Sequence, residues 1–161
     1  MGAGKTSVLN EASDILALRH IAHAAIDMDA LGVAFLPSAA YGDGAMYSNL
    51  RSICENYAAL GVERFLLARA IEDRERLETC RDAVSATDIV VCRLVASIET
   101  MPQRMQARET GVLKQEYIAR VPTLNVILDR ARLEDFTVTN ENRSLSGVAH
   151  EVLLKTGWIS N

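Results

Sequence analysis

Apolar positions along the chain change their period several times, and each change marks an element. Over residues 6–18, Val8, Leu9, Ala12, Ile15 and Leu16 share one stripe at helical spacing, which predicts an amphipathic helix. Residues 20–28 hold Ile21, Ala22, Ala24, Ala25 and Ile26, a short apolar run that fits a buried strand. Residues 32–44, with Gly32, Pro37, Gly42, Asp43 and Gly44, read as a loop. Leu50, Ile53, Tyr57 and Leu60 predict a helix over 46–60, stopped by Gly61. A strand is expected over 62–68 and a charged surface helix over 74–84. The strongest strand pattern in the chain covers 88–96.

In the second half, Thr100-Met101-Pro102-Gln103 has the spacing of a capping box, with Thr100 as the cap and Gln103 three residues on. It predicts a helix to about residue 109, followed by Gly111. A long helical segment over 113–133 is expected to be interrupted at Pro122. Residues 135–139 predict a short strand, and Ser144 can cap a last helix through residue 154 with Gly157 as its stop. Helices alternate with short apolar strands, without an internal repeat or linker. That order predicts an α/β fold: a three-layer, doubly wound, mostly parallel sheet in a single domain over residues 1–161.

Composition narrows the functional classes. The 161 residues are 49% hydrophobic and 24% charged, a globular balance with room for a core. A net charge of −4 argues against a broad nucleic-acid or anionic-membrane surface. No apolar run reaches membrane-spanning length, and the first residues lack a signal-peptide layout. Cys54, Cys80 and Cys92 are widely spaced, without a Cys-x-x-Cys, and suit free thiols in a reducing cytoplasm. His20, His23 and His150 form no metal-ligand spacing.

Chemistry is concentrated at the first residues. Gly2-Ala3-Gly4-Lys5-Thr6-Ser7 matches the second half of the phosphate-binding pattern Gly-x-x-x-x-Gly-Lys-Ser/Thr, which is set between a buried strand and a helix. Glycines allow backbone N–H groups to approach a triphosphate, and the helix that follows adds its positive end. Lys5 would reach the outer phosphates, and the Thr6 hydroxyl would hold Mg²⁺. The first glycine of the pattern would lie ahead of Met1, with the strand that leads into it. That strand would occupy the middle of the sheet, so the polypeptide is expected to extend upstream.

Ligands of open α/β sheets bind beyond the carboxyl ends of the strands. Asp27 and Asp29 leave the first visible strand there. Asp27 would orient Mg²⁺ through water, and Asp29 would bind the acceptor or take its proton; the alternative for Asp29 is a turn cap. Arg104 and Arg108, one helical turn apart, would clamp the transferring phosphate from a lid over about residues 97–122, or form a solvated pair. Asn140 and Arg143, after the last strand, would face adenine, or belong to a plain polar turn. Arg69 reads as a surface salt bridge, and Arg93, inside an apolar strand, as a paired residue.

These residues, with the run 90–97 and the arginines after it, resemble the small-molecule kinases of the P-loop superfamily, such as shikimate, gluconate and adenylylsulfate kinases. The resemblance implies a five-stranded parallel sheet, ATP and Mg²⁺ as cofactors, and transfer of the γ-phosphate to a hydroxyl of a small metabolite. By the same match Gly2, Ala3, Gly4, Lys5, Thr6 and Ser7 would bind nucleotide. Asp27 and Asp29 would serve metal and acceptor, and Arg104 and Arg108 the lid. With the charge and cysteine pattern, the protein is expected to be a cytoplasmic monomer or homodimer with a small-molecule acceptor and no nucleic-acid or membrane partner. The chain shows no Gly-Gly after its second strand and no Arg-Pro-Leu-Leu-like lid run, so the acceptor itself does not carry over. The competing expectation is an ATP-binding protein without turnover. An ATPase or GTPase switch would need a Walker-B aspartate beside the loop and an Asn-Lys-x-Asp, and neither is evident.

Overall fold

Helix α1 (Lys5–Leu18) starts where the chain turns through two left-handed glycines, Gly2 at φ 74° and Gly4 at φ 90°. Side chains resist that backbone region, so glycine at both positions lets the chain enter the helix sharply. The structure, a computed structural model, describes residues 2–34, 43–108 and 110–160, without the side chain of residue 108. Most of the loop expected over 32–44 therefore lies outside the described residues.

The predicted stripe of α1 is the buried one: Val8, Leu9, Ala12 and Leu16. After α1 the chain reverses, with Ile21 N donating to Leu16 O at 3.0 Å and His20 left-handed at φ 56°. That reversal uses residues 19–23, so strand β1 (Ala24–Asp27) is shorter than the apolar run over 20–28. A 3-10 turn, Met28–Gly32, follows it. Next come α2 (Gly44–Ala59), β2 (Phe65–Ala68) and α3 (Arg74–Val84), the last capped by Asp73, which accepts from Arg76 N at 2.8 Å.

Strand β3 (Cys92–Val95) occupies only the second half of the apolar run over 88–96. Helix α4 (Thr100–Arg108) corrects the expected cap. The Ser97 hydroxyl accepts from Thr100 N at 3.0 Å and Ser97 O accepts from Met101 N at 3.1 Å, so Ser97 closes the helix start. Thr100 is already helical. Helix α5 (Lys114–Ala131) runs through Pro122 without interruption, a second correction. Pro122 is exposed; a proline costs its helix one N–H donor, and the other turns of this helix hold. Strand β4 (Phe136–Thr139) and α6 (Leu145–Lys155) complete the order, α6 with Ser144 accepting from Gly147 N at 3.1 Å.

The fold is α/β with two small parallel sheets. β1 pairs with β2 from Ala24 opposite Phe65 to Asp27 opposite Ala68. β3 pairs with β4 from Cys92 opposite Phe136 to Val95 opposite Thr139. Among the described residues no strand joins the pairs, so two separate two-stranded sheets stand where a single sheet is expected. The main core joins α1, α6 and β4 through Leu16, Val138, Val148 and Leu153, each at most 1% exposed. Burying each such side chain stabilises by about 1.5–3 kcal/mol. A second cluster packs α2 and α3 on β1 around Ile26, Leu50, Cys54 and Cys80, and a third sets Met101 and Met105 of α4 against Ala3 and Val121. No helix among the described residues is long and apolar enough to cross a membrane.

Candidate functional site

The Gly2-Ala3-Gly4 segment is gripped from two sides. A side chain at Gly2 would overlap the main chain of Met101, and one at Gly4 would overlap Asn140 Nδ2. The buried Asn140 amide donates from Nδ2 to Ala3 O at 2.8 Å, and its main-chain N donates to Val95 O at 2.8 Å. Asn140 therefore ties the glycine loop to the carboxyl ends of both β3 and β4. Its side chain is turned to the loop.

On the opposite side, Thr6 Oγ1 donates to Asp27 Oδ2 at 2.7 Å. Thr6 stands in the first turn of α1 and Asp27 ends β1, so a contact spanning 21 residues of sequence joins the two candidate metal ligands. The other Asp27 oxygen accepts from Asp29 N at 3.1 Å and caps the 3-10 turn. A hydroxyl beside a carboxylate is the hard-oxygen set that Mg²⁺ takes when phosphates and water fill its remaining positions. Among the described residues no cluster of three or more His, Cys, Asp or Glu forms a closed metal cage. Lys5 opens α1 and borders the space between β2 and β3; Ser7 is exposed.

Asp29 is bound. Arg69 Nη1 donates to Asp29 Oδ1 at 2.6 Å, and Arg69 Nη2 to Asp43 Oδ1 at 2.9 Å. Arg76 adds contacts to Asp43 at 3.6 Å and Glu72 at 3.5 Å, and Arg120 reaches Glu72 at 2.6 Å. Burial opposes the charge on Arg69, but its bonds to Asp29 and Asp43 outweigh that and hold the guanidinium more firmly protonated. The Arg69 salt bridge expected from the sequence is thus the hub of a network at the carboxyl end of β2. The sequence pattern did not point to Asp43 or Arg76. Arg93 is paired as expected, with Asp129 at 2.7 Å and Glu134 at 3.6 Å.

The lid region meets the loop after β4 through Glu141, a residue the motifs missed. Its carboxylate accepts from Ser97 N at 3.2 Å, from Ser97 Oγ at 2.7 Å and from Thr100 Oγ1. Those bonds, from Thr100 and Ser97 first and with Arg104 nearby, hold the Glu141 carboxyl below the ordinary carboxylate range. A Ser-x-x-Thr step after a strand was the available signal, but its acidic partner lies more than 40 residues away. Arg104 is half-buried on α4; Arg108 ends the helix one turn on. Arg143 is drawn back onto α6, with Nη1 2.6 Å from Glu151 and 3.2 Å from Thr139 O.

The thiols stand apart from this chemistry. Burial pushes the Cys54 and Cys92 thiols up to about 11, so neither is a thiolate nucleophile at neutral pH. No protein-family model matches the chain and no curated protein matches it, which leaves the arrangement of its own residues as the guide to its chemistry.

Proposed function

We propose that the protein is an ATP-dependent phosphotransferase that moves the γ-phosphate of ATP to a hydroxyl of a small metabolite, on a doubly wound P-loop fold. The observation that carries this reading is the 2.7 Å contact between Thr6 and Asp27, made directly beside two left-handed glycines and Lys5. Hydroxyl, carboxylate, ammonium and helix-start N–H groups are thereby collected in one place, as a magnesium-bound triphosphate requires. Mg²⁺, held by Thr6 and through water by Asp27, would supply neutralising charge at the β- and γ-phosphates.

The chain's own residues then divide the work. Lys5 contributes a point charge to the outer phosphates. Asp29 aligns the acceptor hydroxyl and takes its proton as the acceptor oxygen bonds to the γ-phosphorus and ADP departs. Arg104 and Arg108 supply positive charge to the transferring group. The packing of Met101 and Met105 on Ala3 supports this role, because it places α4 against the glycine loop. Positioning and electrostatics account for most of such catalysis.

One observation favours the second reading, an ATP-binding protein without turnover. Arg69 Nη1 donates to Asp29 Oδ1 at 2.6 Å, so the carboxylate proposed to align the acceptor is already occupied by a guanidinium. The deciding experiment follows transfer from Mg-ATP to a panel of small alcohols and sugars by phosphorus NMR. ATP-dependent phosphorylation of an acceptor, abolished in Asp27→Ala, supports the kinase. Tight ATP binding without transfer supports the second reading, and absence of ATP binding rejects both.

A further inference from the structure

Two neighbouring side chains after β4 reach in different directions. Asn140 donates to Ala3 O at 2.8 Å and so holds the glycine loop. Glu141, the next residue, turns its carboxylate to the start of α4. One dipeptide therefore touches both the loop ahead of α1 and the helix that carries Arg104. Helix α4 closes the triangle. Met101 and Met105 pack on Ala3, and the Met101 main chain fills the space where a Gly2 side chain would stand.

Both Glu141 oxygens are engaged at that contact. Oε1 accepts from the Ser97 hydroxyl at 2.7 Å and from Thr100 Oγ1, and Oε2 accepts from Ser97 N at 3.2 Å. The Ser97 hydroxyl oxygen in turn accepts from Thr100 N at 3.0 Å, so the carboxylate braces the cap itself. A negative charge beside a helix start also meets the positive end of the helix, and its hydrogen bonds are stronger than neutral ones.

The tie extends past the first turn. Thr100 and Arg104 are four residues apart on α4 and share a face. The carboxylate that holds Thr100 also faces Arg104, whose guanidinium is near enough to favour the charged form of Glu141. Met101 and Met105, a second pair at the same spacing, hold the neighbouring face on Ala3 and Val121. Apolar contact is non-directional and leaves the rotation of a nine-residue helix loosely set. The directional bonds from Ser97 and Thr100 to Glu141 set it.

We propose that Glu141 is a positioning residue: it fixes the rotation of α4 over the glycine loop and thereby the place of the Arg104 guanidinium. Its effect on rate rests on the phosphotransfer reading; its effect on Arg104 does not. In that reaction Arg104 lends charge to the transferring group, and a misplacement of about 1 Å costs up to about 10²-fold. Glu141 acts only through Arg104. Lys5, Thr6 and the glycines keep their contacts without it, so Mg-ATP binding is nearly untouched.

The test measures transfer from Mg-ATP to water and to a panel of small alcohols and sugars. It compares the unsubstituted chain, Glu141→Ala, the isosteric Thr100→Val, and Arg104→Ala with and without Glu141→Ala. Glu141→Ala should lower kcat about tenfold while KM for ATP changes less than about threefold. Thr100→Val should fall between it and the unsubstituted chain. In the Arg104→Ala background, Glu141→Ala should add less than about twofold, because the group it places is gone. A second readout needs no turnover: NMR exchange of the Arg104 Nε–H and the Thr100 amide without nucleotide. Both should exchange about tenfold faster in Glu141→Ala. Equal exchange in the two proteins overturns the proposal, as does a raised KM with kcat unchanged, or a full loss of rate that persists without Arg104. Absence of any transfer by the unsubstituted chain, with the exchange difference present, rejects phosphotransfer and upholds the placement of Arg104 by Glu141.

Discussion

The glycine loop is held on its β1–β2 side by charge and on its β3–β4 side by a buried neutral amide. On the first side Thr6 meets the Asp27 carboxylate, and beyond it Arg69 bridges Asp29 and Asp43, whose side chains are 57% and 33% exposed. On the second, Ala3 O rests on the Asn140 amide, a residue only 8% exposed, and Glu141 gathers Ser97 and Thr100. Half-solvated ions exchange partners at small cost, whereas a buried amide loses its full desolvation penalty when its partner goes. The β3–β4 side is therefore built to fix the shape of the loop. On the proposed phosphotransfer reading, the β1–β2 side is the one that gives up contacts to a metal and an acceptor.

The largest expected effect breaks this comparison at its charged end. Asp27→Ala should lower phosphoryl transfer by about 10²–10³-fold, as loss of a group aimed at developing charge does, and cost about 1.5–3 kcal/mol of stability, because the carboxylate accepts from both Thr6 and Asp29 N. Initial rates on the folded variant and a urea unfolding curve check both halves, and transfer at the unsubstituted rate would contradict the assignment. Next comes Gly4→Ala, which places a side chain in the left-handed region and against Asn140. It should destabilise by about 2–3 kcal/mol, combining the left-handed penalty with the overlap. The double variant with Asn140→Ala should lose clearly less than the sum of the singles, because the overlap is then gone; additive losses would contradict the contact.

Smaller effects sharpen the other end. A double-mutant cycle on Asp29 and Arg69 should return a coupling of only about 0.2–1 kcal/mol, as an exposed pair does. A coupling well beyond that would make the pair structural and unavailable to an acceptor. The smallest effect is a pH dependence. Glu141 has its folded carboxyl depressed below its ordinary 4.5, so its tie to α4 is complete above that pH and is lost as the pH falls through the depressed value. Amide exchange at the start of α4 should rise with acidification below about 4.5 and become flat in Glu141→Gln.

Local chemistry was legible where a cap and a stripe coincide. Asp73 and Ser144 bound α3 and α6 close to the predicted positions because each accepts a main-chain N–H three residues on. Strand lengths were less legible, since an apolar run does not say which of its residues find a partner: 20–23 and 88–91 lie outside the ladders. Pro122 misled because a proline removes one N–H donor from its helix, and the helix continues on its other hydrogen bonds. Of the site, Thr6, Asp27 and the glycines were readable from a contiguous motif and a strand end. The grip of Asn140 on Ala3 was not, because it joins residues 137 apart and no local spacing encodes it.

The central claim is that Gly4, Lys5 and Thr6 receive the phosphates of ATP. Calorimetric titration of Mg-ATP into the protein and into Lys5→Ala tests it most directly. Removing a hydrogen bond to a charged group costs about 1.5–3 kcal/mol, so the variant should remain folded and bind about 10- to 100-fold more weakly. Equal affinity in the two proteins would contradict the account.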